Sequence, residues 1–140
     1  MSDERSINDI RVIIVDDLAS YREILREIMR MIGVTHVTEA VNGQEAFEKI
    51  IMAAKGNEHF DLIISDINMP KMNGLELLKN VRGAHKLGKV PFILVSTENE
   101  KKIIIEALVL EISDYLIKPY DIATASNKIK KIILKILQTP

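Results

Sequence analysis

The chain contains no cysteine, which excludes disulfides, thiol chemistry and cysteine-ligated metals and suits a reducing compartment. No uninterrupted apolar run approaches the roughly 20 residues that span a bilayer. The start, MSDERSINDI, is polar and acidic, without the basic-then-apolar order of a secretory signal. Nor does one charge dominate: 19 basic against 20 acidic residues leave a net charge of -1. The whole-molecule field therefore gives no reason to expect nucleic acid or an anionic membrane as a partner. Gly-rich loops of the GxxxxGK or GxGxxG type are missing, which disfavours nucleotide binding. These absences describe a soluble, cytoplasmic protein whose binding must come from local chemistry.

What is present is an alternation. The chain has 140 residues, 47% of them hydrophobic, enough for one domain with a real core. Short β-branched runs predict strands at 11–15, 36–40, 62–65, 92–96 and 115–117. Between them lie segments of period near 3.6. The first, SYREILREIMRMIG, puts Ile24, Leu25, Ile28, Met31 and Ile32 on one face, with Ser20 and Glu23 as a capping box and Gly33 as the stop. Further helices are expected at 43–54, 74–82, 100–110 and 122–137. In the last, Ile122, Ala125, Ile129, Ile132, Ile133 and Ile136 point inward, leaving Lys128, Lys130, Lys131 and Lys135 for solvent. Strands alternating with helices imply a parallel sheet covered on both faces, an α/β fold. Residues 1–9 read as a loose tail and 10–140 as a single domain.

In an open α/β sheet the ligand site lies beyond the carboxyl ends of the strands. Here the first strand ends in Asp16 and Asp17, the third in Asp66, the fourth in Ser96 and Thr97, and the fifth in Lys118 and Pro119. Singly these are bland: Asp17 would serve as a helix cap, Ser96 as a turn residue and Lys118 as solvated surface. Together they are not. Two unit charges ~4 Å apart repel by roughly 4 kcal/mol at an effective dielectric near 20, so converging carboxylates call for positive charge. Lys118 supplies some; an oxygen-only donor set points to Mg2+, with Mn2+ as the substitute, for the rest. A cation, an ammonium and a hydroxyl make a trap for a phosphoryl group, and Asp66 becomes a candidate nucleophile.

VDD at 15–17, SDINMPKMNGLELL at 65–78, LVST at 94–97 and YLIKPY at 115–120 resemble the receiver domain of bacterial response regulators, over a span from about Ile10 to the C-terminus. The likeness is strongest to the stand-alone receivers of chemotaxis. The resemblance implies a flavodoxin-like, doubly wound sheet of five parallel strands in order 2-1-3-4-5 with five helices. It implies that Asp66 accepts a phosphoryl group from a histidine kinase, with Mg2+ held by Asp16, Asp17, Asp66 and the backbone carbonyl of Asn68. Ser96 would be the switch hydroxyl, Lys118 the phosphoryl contact, Tyr115 the aromatic switch, and Lys118–Pro119 a cis bond. Asn68 and Glu98 match positions that tune phosphoryl loss. The expected product is a monomeric signalling switch, not an enzyme. Its output face, built from the fourth helix, fifth strand and fifth helix, would bind a partner such as a flagellar switch protein, with a phosphatase as a further partner. Two alternatives stand beside it: a phosphorelay intermediate passing its phosphoryl to a histidine phosphotransferase, and a Mg-dependent phosphohydrolase. The second lacks an acid two residues after Asp66, where Asn68 stands. A receiver-like adaptor that is never phosphorylated would be expected to have lost part of the acid set.

Four departures from the family pattern stand out. Thr97 replaces a frequent Ala. Glu111 and Ile112 replace a Gly-Ala turn, so the fourth helix, without Gly at its left-handed end, must be capped differently or carry a strain of order 1 kcal/mol. Asn73 replaces Asp before Gly74 but still suits a cap. The fourth helix, EKKIIIEALVL, is over-apolar: with Ile105, Leu108 and Val109 toward the sheet, Ile104 would project outward, either as an ordinary scattered surface hydrophobe or, with Tyr115, as part of a partner surface.

Overall fold

The computed structural model describes residues 5–139. Ten principal elements alternate along the chain: β1 Arg11–Val15, α1 Ala19–Ile32, β2 His36–Ala40, α2 Gly43–Lys55, β3 Leu62–Asp66, α3 Gly74–Gly83, β4 Phe92–Ser96, α4 Lys101–Val109, β5 Asp114–Ile117 and α5 Ile122–Gln138. The strands form one sheet in the order β2-β1-β3-β4-β5, every neighbouring pair parallel. The flavodoxin-like order is therefore the observed one. β3 and β4 are buried along their whole length, the signature of strands sandwiched between helix layers. Residue parity divides the core. Ile13, Val15, Ile63, Phe92 and Leu94 face α2, α3 and α4; Val12, Ile14, Ile64, Ile93 and Val95 face α1 and α5.

Helix ends differ from expectation where tertiary contacts intervene. Gly33 does stop α1, at φ 107, where a side chain would be strained, and a Cβ there would lie 2.8 Å from Ile7. The expected Ser20–Glu23 box does not form. The N-cap is Leu18, without a side-chain cap, because Asp16 Oδ1 accepts from the Leu18 amide instead (2.9 Å). On α1 Leu25 and Ile28 are buried as expected and Ile24 and Ile32 pack against the core, but Met29 takes the buried place expected of Met31, which is exposed. On α5 Ile122, the first residue of the helix, is half exposed. Asn73 caps α3 in a box with Glu76, its Oδ1 2.8 Å from the Glu76 amide.

The tail is also corrected. Residues 1–4 lie outside the described residues, but residues 7–9 form a 3-10 turn and Ile7 packs against the α1/α5 side of the core. Arg5 grips the buried Asp61 through both guanidinium nitrogens (2.9 and 2.7 Å), and Asp61 also accepts from the Arg11 amide (2.8 Å). A bidentate, part-buried ion pair holds this segment to the sheet.

The largest correction concerns α4. Ile104 is 7% exposed and faces the sheet with Ala107, whereas Ile105 is 63%, Leu108 53% and Val109 79% exposed. The assumed rotation was opposite to the true one. A helix apolar on both sides carries too little periodic contrast to reveal its inner face.

Glu111, at φ 61, occupies the left-handed position in which the sequence lacks Gly. The amides of Glu111 and Ile112 bond back into α4, to Leu108 O (3.0 Å) and Ala107 O (3.4 Å). Arg82, from the end of α3, donates to the carbonyls of Leu110 (2.8 Å), Val90 (2.8 Å) and Glu111 (3.1 Å). One guanidinium thus ties down three loop carbonyls at a turn that would otherwise be strained.

Candidate phosphoacceptor site

The carboxyl ends of β1 and β3 lie side by side, with Val15 paired to Ser65, so the residues just beyond them converge. Carboxylate oxygens of Asp16, Asp17 and Asp66 lie within 4.8 Å of one another. Among the described residues this is the one group of three or more His, Asp or Glu side chains close enough to share a metal ion. Asp16 and Asp66 are buried and Asp17 is exposed, so the group is a notch with one open wall. Three carboxylates, all hard oxygen donors without His or Cys, fit a hard divalent cation such as Mg2+.

Lys118 closes the other side. Its Nζ is 2.9 Å from Asp16 Oδ2 and 3.3 Å from Asp66 Oδ2. The strand end aims it there: the Lys118 amide donates to Ser96 O (2.7 Å), and the following bond to Pro119 is cis. Burial first and the Asp16 charge second raise the pKa of Asp66, Lys118 works against both, and the net result is about 6. For Lys118, desolvation acts downward but is outweighed by hydrogen bonds and charges from Asp16 and Asp66, and the net shift is upward. The pocket is thus acid-rich and under-neutralised by its one lysine, the condition in which a divalent cation is favoured.

Ser96 ends β4 next to Val95, the register partner of Asp66. It is fully buried, and its Oγ has no hydrogen-bond partner among the described residues. An orphaned buried hydroxyl costs on the order of 1–3 kcal/mol, a standing preference for any acceptor brought within reach. Thr97, beside it, is engaged: its amide and hydroxyl both meet Glu100 Oε1 (2.6 and 2.9 Å), capping a 3-10 turn at 98–100 that leads into α4. Asn68 and Glu98 are exposed on the loops after β3 and β4.

Tyr115 lies on β5, away from the acid notch. It lines a groove of about 810 Å3 with Thr97, Ile104, Ile105 and Leu108. Its carbonyl accepts from Lys128 Nζ (2.8 Å), which also stands 5.0 Å from the Tyr115 ring centre.

Several supporting residues carry no local sequence signal. A Cβ on Gly74 would lie 2.1 Å from the carbonyl oxygen of Asp66, so only glycine lets α3 start against the Asp66 backbone. Arg22 donates to Asp16 O (2.8 Å) and to Glu39 Oε1 (3.0 Å), pinning the β1 end to β2.

Residues 12–130 match the family model of the response regulator receiver domain. The chemotaxis protein CheY-3 of Vibrio cholerae is 35% identical over 124 residues, covering 89% of this chain and 92% of that protein. The chemotaxis protein CheY1 of Helicobacter pylori is 32% identical, covering 89% and 97%. Among solved structures, the receiver domain of AraT, a response regulator from Geobacillus stearothermophilus, superposes with a TM-score of 0.77 at 33% identity, covering 92% of this chain and 96% of that one. With the acid notch at the strand ends and a family match across most of its length, the chain belongs to the response regulator receiver domain family.

Proposed function

We propose that this receiver is a phosphorylation-controlled switch in which Asp66 takes a phosphoryl group from a histidine kinase. One observation carries the reading: the Lys118 ammonium bridges Asp16 and Asp66 in a notch where a third carboxylate, Asp17, lies open to solvent. Asp16, Asp17 and Asp66, with the Asn68 carbonyl, would hold Mg2+. When bound, the ion supplies charge neutralisation for the acids and for the oxygens of the transferring group.

The chain's own residues do the rest. Asp66 presents a carboxylate oxygen that forms the new O–P bond as the P–N bond of a phosphohistidine breaks, and the imidazole leaves with the electron pair. Lys118 exchanges a carboxylate oxygen for a phosphoryl oxygen, at little cost because its ammonium is already in place. Ser96, whose hydroxyl has no partner, gains an acceptor. Because Ser96 and Thr97 lead directly into the turn before α4, a movement of Ser96 is felt at the groove lined by Ile105, Leu108 and Tyr115. The phosphoryl group carries roughly -1.5 to -2, by analogy with other phosphorylated side chains, in place of the carboxylate's single charge, and shifts a two-state equilibrium of that face.

The named chemotaxis relatives support a role in chemotaxis, with the exposed apolar face of α4 and β5 receiving an output partner such as a flagellar switch protein. The chain acts as a switch and carries out no turnover on a separate substrate. No helix among the described residues is long and apolar enough to cross a membrane.

The test is intact-protein mass spectrometry after incubation with Mg2+ and acetyl phosphate. Wild type gains the mass of one phosphoryl group and Asp66→Asn does not. An unchanged wild-type mass, or equal gain in both, would defeat the assignment. Multiple turnover on small phosphate esters would point instead to a phosphohydrolase.

A further inference from the structure

Aromatic residues make up 4% of the chain, and two of its three tyrosines meet at the rim of the acid notch. Tyr21 lies in the first turn of α1 and Tyr120 directly after Pro119; their ring centroids are 5.7 Å apart, with planes tilted by 52°. The Lys118 ammonium stands 3.9 Å from the centre of the Tyr21 ring. Its contacts are therefore three: Asp16, Asp66 and a ring face. The Tyr120 hydroxyl is buried without a hydrogen-bond partner among the described residues, and its ring packs against that of Tyr21 only as a neighbour.

These contacts differ in permanence. A divalent cation in the notch competes for both carboxylates, and phosphorylation of Asp66 moves its negative charge from the carboxylate onto the phosphoryl oxygens. The ring is unaffected by either event. Attraction between an ammonium and a ring face comes from the ring quadrupole and does not need the phenolic hydroxyl. Resting on the reading of Asp66 as the acceptor, we propose that Tyr21 is a positioning residue for phosphoryl transfer: its ring holds the Lys118 ammonium over the notch while the ammonium changes partners from carboxylate to phosphoryl oxygen. A ring that only filled space between α1 and the β5–α5 loop would be indifferent to the residue at 118.

The experiment uses the full chain as wild type, Tyr21→Phe and Tyr21→Leu, each also combined with Lys118→Ala. In the metal-free protein, the Lys118 ε-methylene protons are expected upfield in wild type and Tyr21→Phe, shifted by the ring, and at ordinary positions in Tyr21→Leu. With Mg2+ and acetyl phosphate, Tyr21→Phe should react within about twofold of wild type and Tyr21→Leu roughly fivefold more slowly. In the Lys118→Ala background, Tyr21→Leu should add no further loss. Urea melts establish that each variant folds, with Tyr21→Met as the ringless substitute if Tyr21→Leu does not. The inference is overturned by an unshifted wild-type signal, by Tyr21→Leu reacting as fast as wild type, by Tyr21→Phe slowing as much as Tyr21→Leu, or by the same loss with and without Lys118. A wild type that takes up no phosphoryl overturns the acceptor reading itself, and the inference with it; a reactive wild type beside an unaffected Tyr21→Leu overturns the inference alone.

Discussion

Arg82 at the end of α3 donates its Nε proton to the carbonyl of Leu110 at the end of α4, 2.8 Å away. The same guanidinium reaches Val90 O and Glu111 O, so this side chain fastens the α3–β4 loop to a turn that contains a left-handed glutamate. Arg82→Ala leaves up to three carbonyls to find water and should cost about 1–3 kcal/mol. Glu111→Gly removes the penalty of φ 61 and should stabilise by roughly 0.5–1 kcal/mol. Urea denaturation of both single variants and the double variant checks this; coupling between them would show that the clamp acts on the strained turn.

Asp66 itself weakens the fold at neutral pH. Asp66 has its pKa raised to about 6 in the folded protein against an ordinary value near 3.9 when unfolded. Between those values the folded state binds more protons than the unfolded one, so this group's contribution makes stability fall as pH rises from about 4 to about 6. In EDTA, Asp66→Asn should therefore be more stable than wild type above pH 6, by on the order of 1–3 kcal/mol. The gain should vanish toward pH 4. A stability difference that is flat across this range would contradict the raised pKa.

Divalent cation should reverse that weakness. A cation that binds only the folded form stabilises by mass action, so the melting temperature of wild type should climb with Mg2+ concentration. Asp17 stands at the open wall of the notch, without a side-chain partner among the described residues, so Asp17→Asn should fold normally yet bind Mg2+ on the order of tenfold more weakly. Calorimetric titration of the two proteins reads the difference.

On α4 neighbouring isoleucines should behave in opposite ways. Ile104 is buried, and Ile104→Ala should cost about 2–4 kcal/mol by leaving a cavity. Ile105 is 63% exposed, and Ile105→Asp should change stability by no more than about 0.5 kcal/mol. If the groove beside Tyr115 is the output face, Ile105→Asp and Leu108→Asp should abolish phosphorylation-dependent partner binding, measured with beryllofluoride-activated protein. Full binding by both would place the output face elsewhere.

The alternation of β-branched runs with 3.6-period segments was enough, read along the chain, to establish the fold class, because a strand buried on both faces must be apolar throughout and each parallel return needs a helix. Asp16, Asp17, Asp66, Ser96 and Lys118 were legible as site candidates for a related reason: residues at the carboxyl ends of parallel strands share one edge whatever the details of packing. Tertiary structure decided what depends on rotation and distance. Which side of α4 is buried, that Asp16 rather than Ser20 satisfies the start of α1, and that Arg5 finds Asp61 are outcomes of contacts between segments remote in sequence. The same holds for Arg82 at the α4 turn, Gly74 under the Asp66 carbonyl and Tyr21 over Lys118. Periodicity describes an element against its own axis, and only the neighbours it packs against determine which partners its side chains meet.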